Sequence, residues 1–327
     1  MIRSYIKGIG AALPKRILTN FDLEKMVDTS DDWIKTRTGI EERRIAVKEE
    51  TSGSLAVEAS REAIKRANLT PQDIDSIILA TFTPDMPLPA TACFVQHELG
   101  ANRAFAFDIA AACSGFIYAL SIADQYIKNG FCKHVLVIGV DTLSKVTDWK
   151  DRNTCVLFGD GAGAVVLGPG EQEDRGILST HLFSDGAYTE LLYIPAGGGK
   201  SPSSHETVDR GDHYIRMKGN GLFKIAVKSL SEAAEVALTY NKLTASDIDL
   251  FVPHQANMRI MTATAEKLGI PKDKICITVN KFGNNSAGTI PIAIYHAFME
   301  GRIKEGNNIL LTAFGGGLTW ASALIRW

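Results

Sequence analysis

Residues 69–75 read LTPQDID and residues 243–249 read LTASDID: five of seven positions agree, at an offset of 174. The surroundings keep that offset. Before each stretch the apolar residues recur at helical spacing, over 54–68 (SLAVEASREAIKRAN) and 222–242 (LFKIAVKSLSEAAEVALTYNK). After each comes a short apolar run, 76–81 and 250–252, which reads as a strand. Further on, HVLVIGV at 134–140 shifts by 174 onto NILLTAF at 308–314, again strand-like and bounded by Lys, Gly and Asn. One offset relating three separate features implies two similar α/β halves. The join falls in GPGEQED at 168–174, dividing the chain into 1–170 and 171–327. Buried strands alternating with helices predict mainly parallel sheets with helices on their faces. Sites in such folds gather at strand ends.

Composition narrows the function classes. Of 327 residues, 45% are hydrophobic and 22% charged, enough apolar surface to build a core. Lys and Arg number 35 against 37 Asp and Glu, so the net charge of −2 argues against a nucleic-acid coat or a polybasic membrane binder. Five scattered cysteines without a CxxC pair fit neither a disulfide framework nor a Cys-rich zinc site. The N-terminal stretch lacks the apolar run of a signal peptide. The apolar stretches 104–123 and 309–325 are broken by Ser114-Gly115 and by Gly315-Gly316-Gly317, and read as buried strand–turn segments rather than membrane spans. The expected compartment is the cytoplasm.

Four features stand at strand ends. Cys113 lies between an expected strand at 103–111 and an apolar helix at 114–128, where the helix N-terminus favours a thiolate. Most cysteines are small buried hydrophobes, and Cys93, Cys132, Cys155 and Cys276 read that way. His254 follows Pro253 at the tip of the second-half strand and takes the place of Ala80 in the first half. Asn284, in GNNSAGT, opens the helix equivalent to the one after Cys113; with Asn285 or Ser286 as the cap, Asn284 is free to point elsewhere. Gly315, Gly316 and Gly317 follow a strand and offer backbone N–H groups for an oxyanion, or simply a bulge. GDGAG at 159–163 and GIG at 8–10 do not fit a dinucleotide fingerprint and read as turns.

With these residues in place, the chain resembles the β-ketoacyl-acyl carrier protein synthase III family of the thiolase-like superfamily. The likeness runs nearly end to end and rests on DTSDDWIKTRTGIEERRIA (28–46), AACSGF (111–116), FGDGAGA (158–164), VPHQAN (252–257), GNNSAGT (283–289) and AFGGGLTWASALIRW (313–327). It implies a five-layered αβαβα fold from two pseudo-duplicated halves, and a homodimer. By resemblance, Cys113 is the acylated nucleophile, with His254 and Asn284 as partners; Gly316 shares the oxyanion with the Cys113 N–H. Trp33 and Arg152 match the pair that stacks on the adenine of coenzyme A, and Thr29, Arg37, Gly219 and Asn257 match segments lining its tunnel, with Phe223 nearby. Arg259, Lys267 and Lys224 (with Lys218) match the docking surface for acyl carrier protein, although Glu266 stands where another base is often found. Leu88 matches the base of the acyl pocket, contributed across the dimer.

The implied reaction is a decarboxylative Claisen condensation of an acyl-CoA primer with malonyl-acyl carrier protein. It calls for no metal or organic cofactor, because the thioester carbonyl is itself the electron sink. A starter-condensing enzyme of secondary metabolism with the same fold is the alternative. A non-catalytic subunit is disfavoured by the presence of Cys113, and a bare thioesterase would form no new carbon–carbon bond.

Overall fold

The computed structural model describes residues 3–170 and 172–327. The first half supplies strands β1 (Ser4–Ala12), β2 (Ser76–Ala80), β3 (Phe105–Ile109), β4 (Val135–Thr142) and β5 (Asp160–Pro169). Its helices are α1 (Ser52–Arg66), α2 (Thr91–Leu99) and α3 (Gly115–Lys128). The second half supplies β6 (Gly176–Ser184), β7 (Leu250–Pro253), β8 (Asn308–Gly315) and β9 (Thr319–Arg326), with helices α4 (Gly219–Tyr240), α5 (Met258–Leu268) and α6 (Thr289–Met299). The expected join at 168–174 runs from the last two residues of β5 into the connection to β6, and Glu171 lies outside the described residues.

The strand orders are β1-β5-β4-β2-β3 in one sheet and β6-β9-β8-β7 in the other. These are one order repeated. The place of β3 is taken in the second sheet by a single bridge, Phe251 to Ile275. The sheets are mixed rather than mainly parallel: β2 runs parallel to β3 and β4, and β7 parallel to β8, while the remaining pairs are antiparallel. The reason is local. Only residues 316–318 join β8 to β9, too few for a parallel crossover.

Helices α3 and α6 lie between the sheets, α1 and α2 cover the outer face of the first, and α4 covers the outer face of the second with α5 packed beside it. The five layers are therefore αβαβα. Alternation along the strands explains why both sheet faces are apolar. In β4, Val135 and Val137 face the central layer while Leu136, Ile138 and Val140 face the outer one. In β8, Ile309, Leu311 and Ala313 face the centre while Leu310 faces outward.

The offset seen in sequence holds in backbone detail. Thr70–Asp73 and Thr244–Asp247 form matching capping boxes. Asn68 (φ 55°) and Lys242 (φ 57°) are both left-handed, as are Ala112 (φ 44°) and Ser286 (φ 48°). The last pair opens two equivalent 3-10 turns, Ala112–Ser114 and Ser286–Gly288, which lead into α3 and α6. Gly139 of β4 lets the second turn seat against the sheet, since a Cβ there would overlap the Ala287 carbonyl oxygen.

Candidate active site

The turn Ala112–Ser114 puts Cys113 at the head of α3, buried, where the tip of β8 meets it: a Cβ on Gly315 would lie 2.7 Å from the Cys113 nitrogen. Ala112 holds a backbone conformation that costs a non-glycine residue roughly 1–2 kcal/mol. Such strain persists only where the surroundings impose it. Here the imposing contacts are those of the two 3-10 turns and β8.

Burial pushes the Cys113 thiol up to about 12, against smaller lowering influences from Ser286 and its own backbone N–H. Burial is the largest influence on the thiol, and it opposes the thiolate that the helix start was expected to favour. Among the described residues no hydrogen-bond partner is seen for the Gly316 N–H, and none for the Cys113 N–H beyond its own thiol.

His254 leaves the tip of β7 with its N–H donated to the Thr312 carbonyl at 2.7 Å. Its Nδ1 lies 2.6 Å from Thr289 Oγ1. Burial pushes its pKa down to about 3, so the ring is neutral at physiological pH. The neighbouring Gln255 anchors this corner. Its Nε2 donates to the carbonyls of Pro253 and Cys276, and its Oε1 accepts from the N–H groups of Thr278 and Val279.

Asn284 is itself the turn residue, a role the sequence reading gave to Asn285 or Ser286. Its Oδ1 accepts the Ser286 N–H at 2.8 Å, while Asn285 Nδ2 donates to the Phe282 carbonyl. A short side chain bonding its own backbone two residues on is favourable locally, and here it leaves the Asn284 amide nitrogen unengaged.

A buried acid that the sequence reading missed joins the halves. Asp141 Oδ1 accepts from Thr81 Oγ1, the Phe82 N–H, and the Thr83 N–H and hydroxyl, at 2.8–3.1 Å; Oδ2 accepts the Ala287 N–H at 3.3 Å. Burial raises its pKa despite these donors. A lone acid inside the apolar run VLVIGVDT was the signal.

Cys113, His254 and Asn284 line one cavity of about 160 Å³, together with Gly219, Phe223, Asn257, Phe314 and Gly315. A second lobe of about 180 Å³ begins at Cys113 and Gly316 and ends among Phe82, Leu143, Ile194 and Ile215. The two lobes share Cys113, Phe158 and Leu192, so the nucleophile candidate stands where they join. Leu88 is in neither lining. It is 84% exposed, so it is not the floor of this chain's own pocket.

Thr29, Trp33, Arg37 and Arg152 are in neither lobe's lining. Trp33 carries Arg37 at 4.8 Å and Arg152 at 5.1 Å from its ring centroid, and Arg152 donates to the Asp28 carbonyl. Thr29 Oγ1 is buried without a partner. Asn257 links this patch to the cavity: it caps α5 through the Arg259 N–H and donates to the Arg37 carbonyl. Arg259 lies over Phe223 at 5.5 Å. Lys267 and Lys224 are exposed, Lys218 faces Glu190 at 3.8 Å, and Glu266 is paired with Lys272 at 3.4 Å. Among the described residues no group of His, Cys, Asp or Glu is placed to hold a metal, and no helix is long and apolar enough to cross a membrane.

Models of the 3-oxoacyl-[acyl-carrier-protein] synthase III family match residues 107–186, and models of its C-terminal part match residues 238–327. The β-ketoacyl-[acyl-carrier-protein] synthase III of Caldanaerobacter subterraneus subsp. tengcongensis is 54% identical over 326 residues, covering 100% of this chain and 98% of its own. The chain belongs to the synthase III family. The synthase is thus a condensing acyltransferase of fatty acid biosynthesis. Its namesake from Aquifex aeolicus is 53% identical over 98% of this chain and 99% of its own. The crystal structure of the Aquifex aeolicus VF5 enzyme superposes with a TM-score of 0.92 at 52% identity, covering 99% of this synthase and 100% of that chain. The thiolase-like αβαβα architecture of the synthase is that of these structures.

Proposed function

We propose that the synthase joins an acyl-CoA primer to malonyl-acyl carrier protein by decarboxylative Claisen condensation, with Cys113, His254 and Asn284 as its chemical groups. The observation that carries this reading is their convergence on one cavity whose two lobes meet at Cys113. The half ending near residue 170 brings the nucleophile, and the half beginning near 171 brings its two partners.

In the first half-reaction the Cys113 sulfur attacks the primer thioester, and the N–H groups of Cys113 and Gly316 stabilise the tetrahedral oxyanion. The bond to the coenzyme A sulfur then breaks. The proton lost by Cys113 is balanced by the one gained by the departing thiol, so a high thiol pKa is compatible with exchange. The acyl chain lies in the apolar lobe of Phe82, Leu143 and Ile215. Coenzyme A runs outward past Gly219 and Asn257 to Trp33, Arg37, Thr29 and Arg152. In the second half-reaction, loss of carbon dioxide places negative charge on the malonyl thioester oxygen. Asn284 Nδ2 and neutral His254 donate to it; the enolate carbon attacks the acyl-cysteine carbonyl, the bond to the Cys113 sulfur breaks, and the released thiolate takes a proton from solvent. No cofactor is required, since the thioester accepts the electrons. Arg259, Lys224 and Lys267 form the carrier-protein surface.

The proposal extends to assembly. β3 is an unpaired sheet edge beside an exposed aromatic cluster: Phe105 stacks on Phe107, and Tyr126 and Phe131 meet edge-on at 5.3 Å. An edge of this kind is normally covered, and a second copy meeting it edge to edge makes the homodimer and brings Leu88 toward the neighbouring pocket. Five free cysteines suit the reducing cytoplasm. The test is intact mass after exposure to acyl-CoA, followed by addition of malonyl-acyl carrier protein. Acyl label on the Cys113 peptide and a β-ketoacyl product are expected. Label on Cys93 or Cys155, or condensation surviving in Cys113→Ala, overturns the reading.

A further inference from the structure

Taking a guanidinium out of water is costly, and neutral acceptors offset that cost less fully than a carboxylate does. Arg43 is 0% exposed, and each of its three hydrogen bonds goes to a neutral oxygen. Burial pushes its pKa down to about 10, so it stays charged at physiological pH. A cation kept in such a place calls for a reason beyond filling space, and its partners supply one.

Nη1 of Arg43 donates to the Leu18 carbonyl at 3.2 Å and to Asn20 Oδ1 at 2.8 Å, and Nη2 donates to the Val156 carbonyl at 2.8 Å. Asn20 carries the connection onward. Its Nδ2 donates to Asp31 Oδ1 at 2.9 Å and to the Ile40 carbonyl at 2.8 Å. Asp31 opens the helix Asp31–Thr38, which bears Trp33 and Arg37, and Ile40 lies just past its end. Val156 closes the short helix Arg152–Cys155, which begins with Arg152. The guanidinium thus reaches from the element of Trp33 to the element of Arg152, whose side chain lies 5.1 Å from the Trp33 ring centroid. No proton along this path is shared between two acceptors.

A second tether spans the same gap: Arg152 donates to the Asp28 carbonyl at 2.8 Å and lies 3.6 Å from its carboxylate. Both side chains are exposed there, and exposed pairs hold geometry weakly, so the buried bonds set the spacing. The stem of Arg43 has separate work. A Cβ at Gly159 or Gly283 would lie 3.1 Å from its Cβ, and these glycines flank the Phe158–Asn284 bridge.

We propose that Arg43 is a positioning residue that acts through Trp33 and Arg152: its buried guanidinium fixes the two faces of the adenine clamp relative to each other. The proposal deepens the coenzyme A reading given above and rests on it. A planar fork with donors on separate nitrogens can bridge three segments, and the single ammonium of lysine does not match that geometry.

The experiment compares acyl-CoA with acyl-pantetheine, which has the same thioester and arm but no adenine. Wild type should show the lower KM for acyl-CoA. Arg43→Lys keeps a stem against Gly159 and Gly283 and removes the fork. It should raise KM for acyl-CoA by about tenfold, the value of roughly one hydrogen bond to a charged group, while acyl-pantetheine acylation and malonyl decarboxylation stay unchanged. Asn20→Ala leaves Arg43 in place and cuts its link to the helix Asp31–Thr38. It should give the same selective loss, and it decides the matter if Arg43→Lys does not fold. A variant that weakens both thioesters equally, or that keeps the wild-type preference for acyl-CoA, overturns the proposal while the clamp stands. A wild-type enzyme that uses acyl-CoA no better than acyl-pantetheine overturns the clamp itself, and the role of Arg43 with it.

Discussion

In the proposed condensation Asn284 acts as a donor, because its carbonyl oxygen is spent on the Ser286 N–H. That gives the division of labour between half-reactions a physical test. Loss of one oxyanion donor costs about 10²–10³ in rate. Asn284→Ala should lower carbon dioxide release from malonyl-acyl carrier protein by about that factor, while single-turnover acylation of Cys113 stays within about tenfold of wild type. Asn284→Asp should be at least as damaging, since the oxygen replacing the amide nitrogen repels the enolate. Equal loss of both half-reactions in Asn284→Ala would show that Asn284 organises the nucleophile. Cys113, His254 and Asn284 could be singled out in the sequence because each is a reactive type at a strand or loop end, and the structure brings all three to one cavity. For Cys113, the dipole of a helix start is visible in sequence, whereas the burial that opposes it appears only once both sheets are packed around it.

At the scale of elements, the proposed acyl lobe and the proposed docking helix carry separate expectations. The lobe takes Phe82 and Leu143 from just beyond β2 and β4, and Ile194 and Ile215 from a region with no periodic pattern. The first pair follows the strand-end rule and was within reach of sequence reasoning; the second was not. Leu143→Phe should shift the synthase toward acetyl over four- and five-carbon primers. Each methylene that no longer fits is worth about 0.8 kcal/mol, or about fourfold in kcat/KM. Competition between primers, read by product mass, checks this, and unchanged preference would place the chain elsewhere. On α5, Arg259→Glu should raise KM for malonyl-acyl carrier protein several-fold and leave acylation by acyl-CoA unchanged. Added salt should weaken docking in wild type, since exposed charges are screened over about 8 Å near physiological ionic strength. The Glu266 that looked adverse in sequence is compensated by Lys272 across the following turn.

For the whole molecule, burying His254 as a neutral ring ties stability to pH. Its folded pKa of about 3 lies below the unfolded value near 6.5. Between those values the unfolded chain binds the extra proton, so stability is fully present above pH 6.5 and falls as pH falls. The contribution lost by pH 5 is about 2 kcal/mol. Denaturant titrations of wild type and His254→Ala should converge by about that amount between pH 7 and 5. A constant difference would mean the ring is charged or hydrated in the native state. The two-halves reading came from a seven-residue match because duplication preserves offsets. The mixed sheets were missed because apolar runs do not record strand direction.

The duplicated turns Ala112–Ser114 and Ser286–Gly288 carry one further consequence. Shifted by 174, Cys113 falls on Ala287, and His254 falls back on Ala80. Each half therefore keeps the turn and its helix but carries only part of the proposed reactive set. Two equivalent elbows yield one composite centre, and the stoichiometry follows: at saturating acyl-CoA every chain should carry a single acyl group, never two.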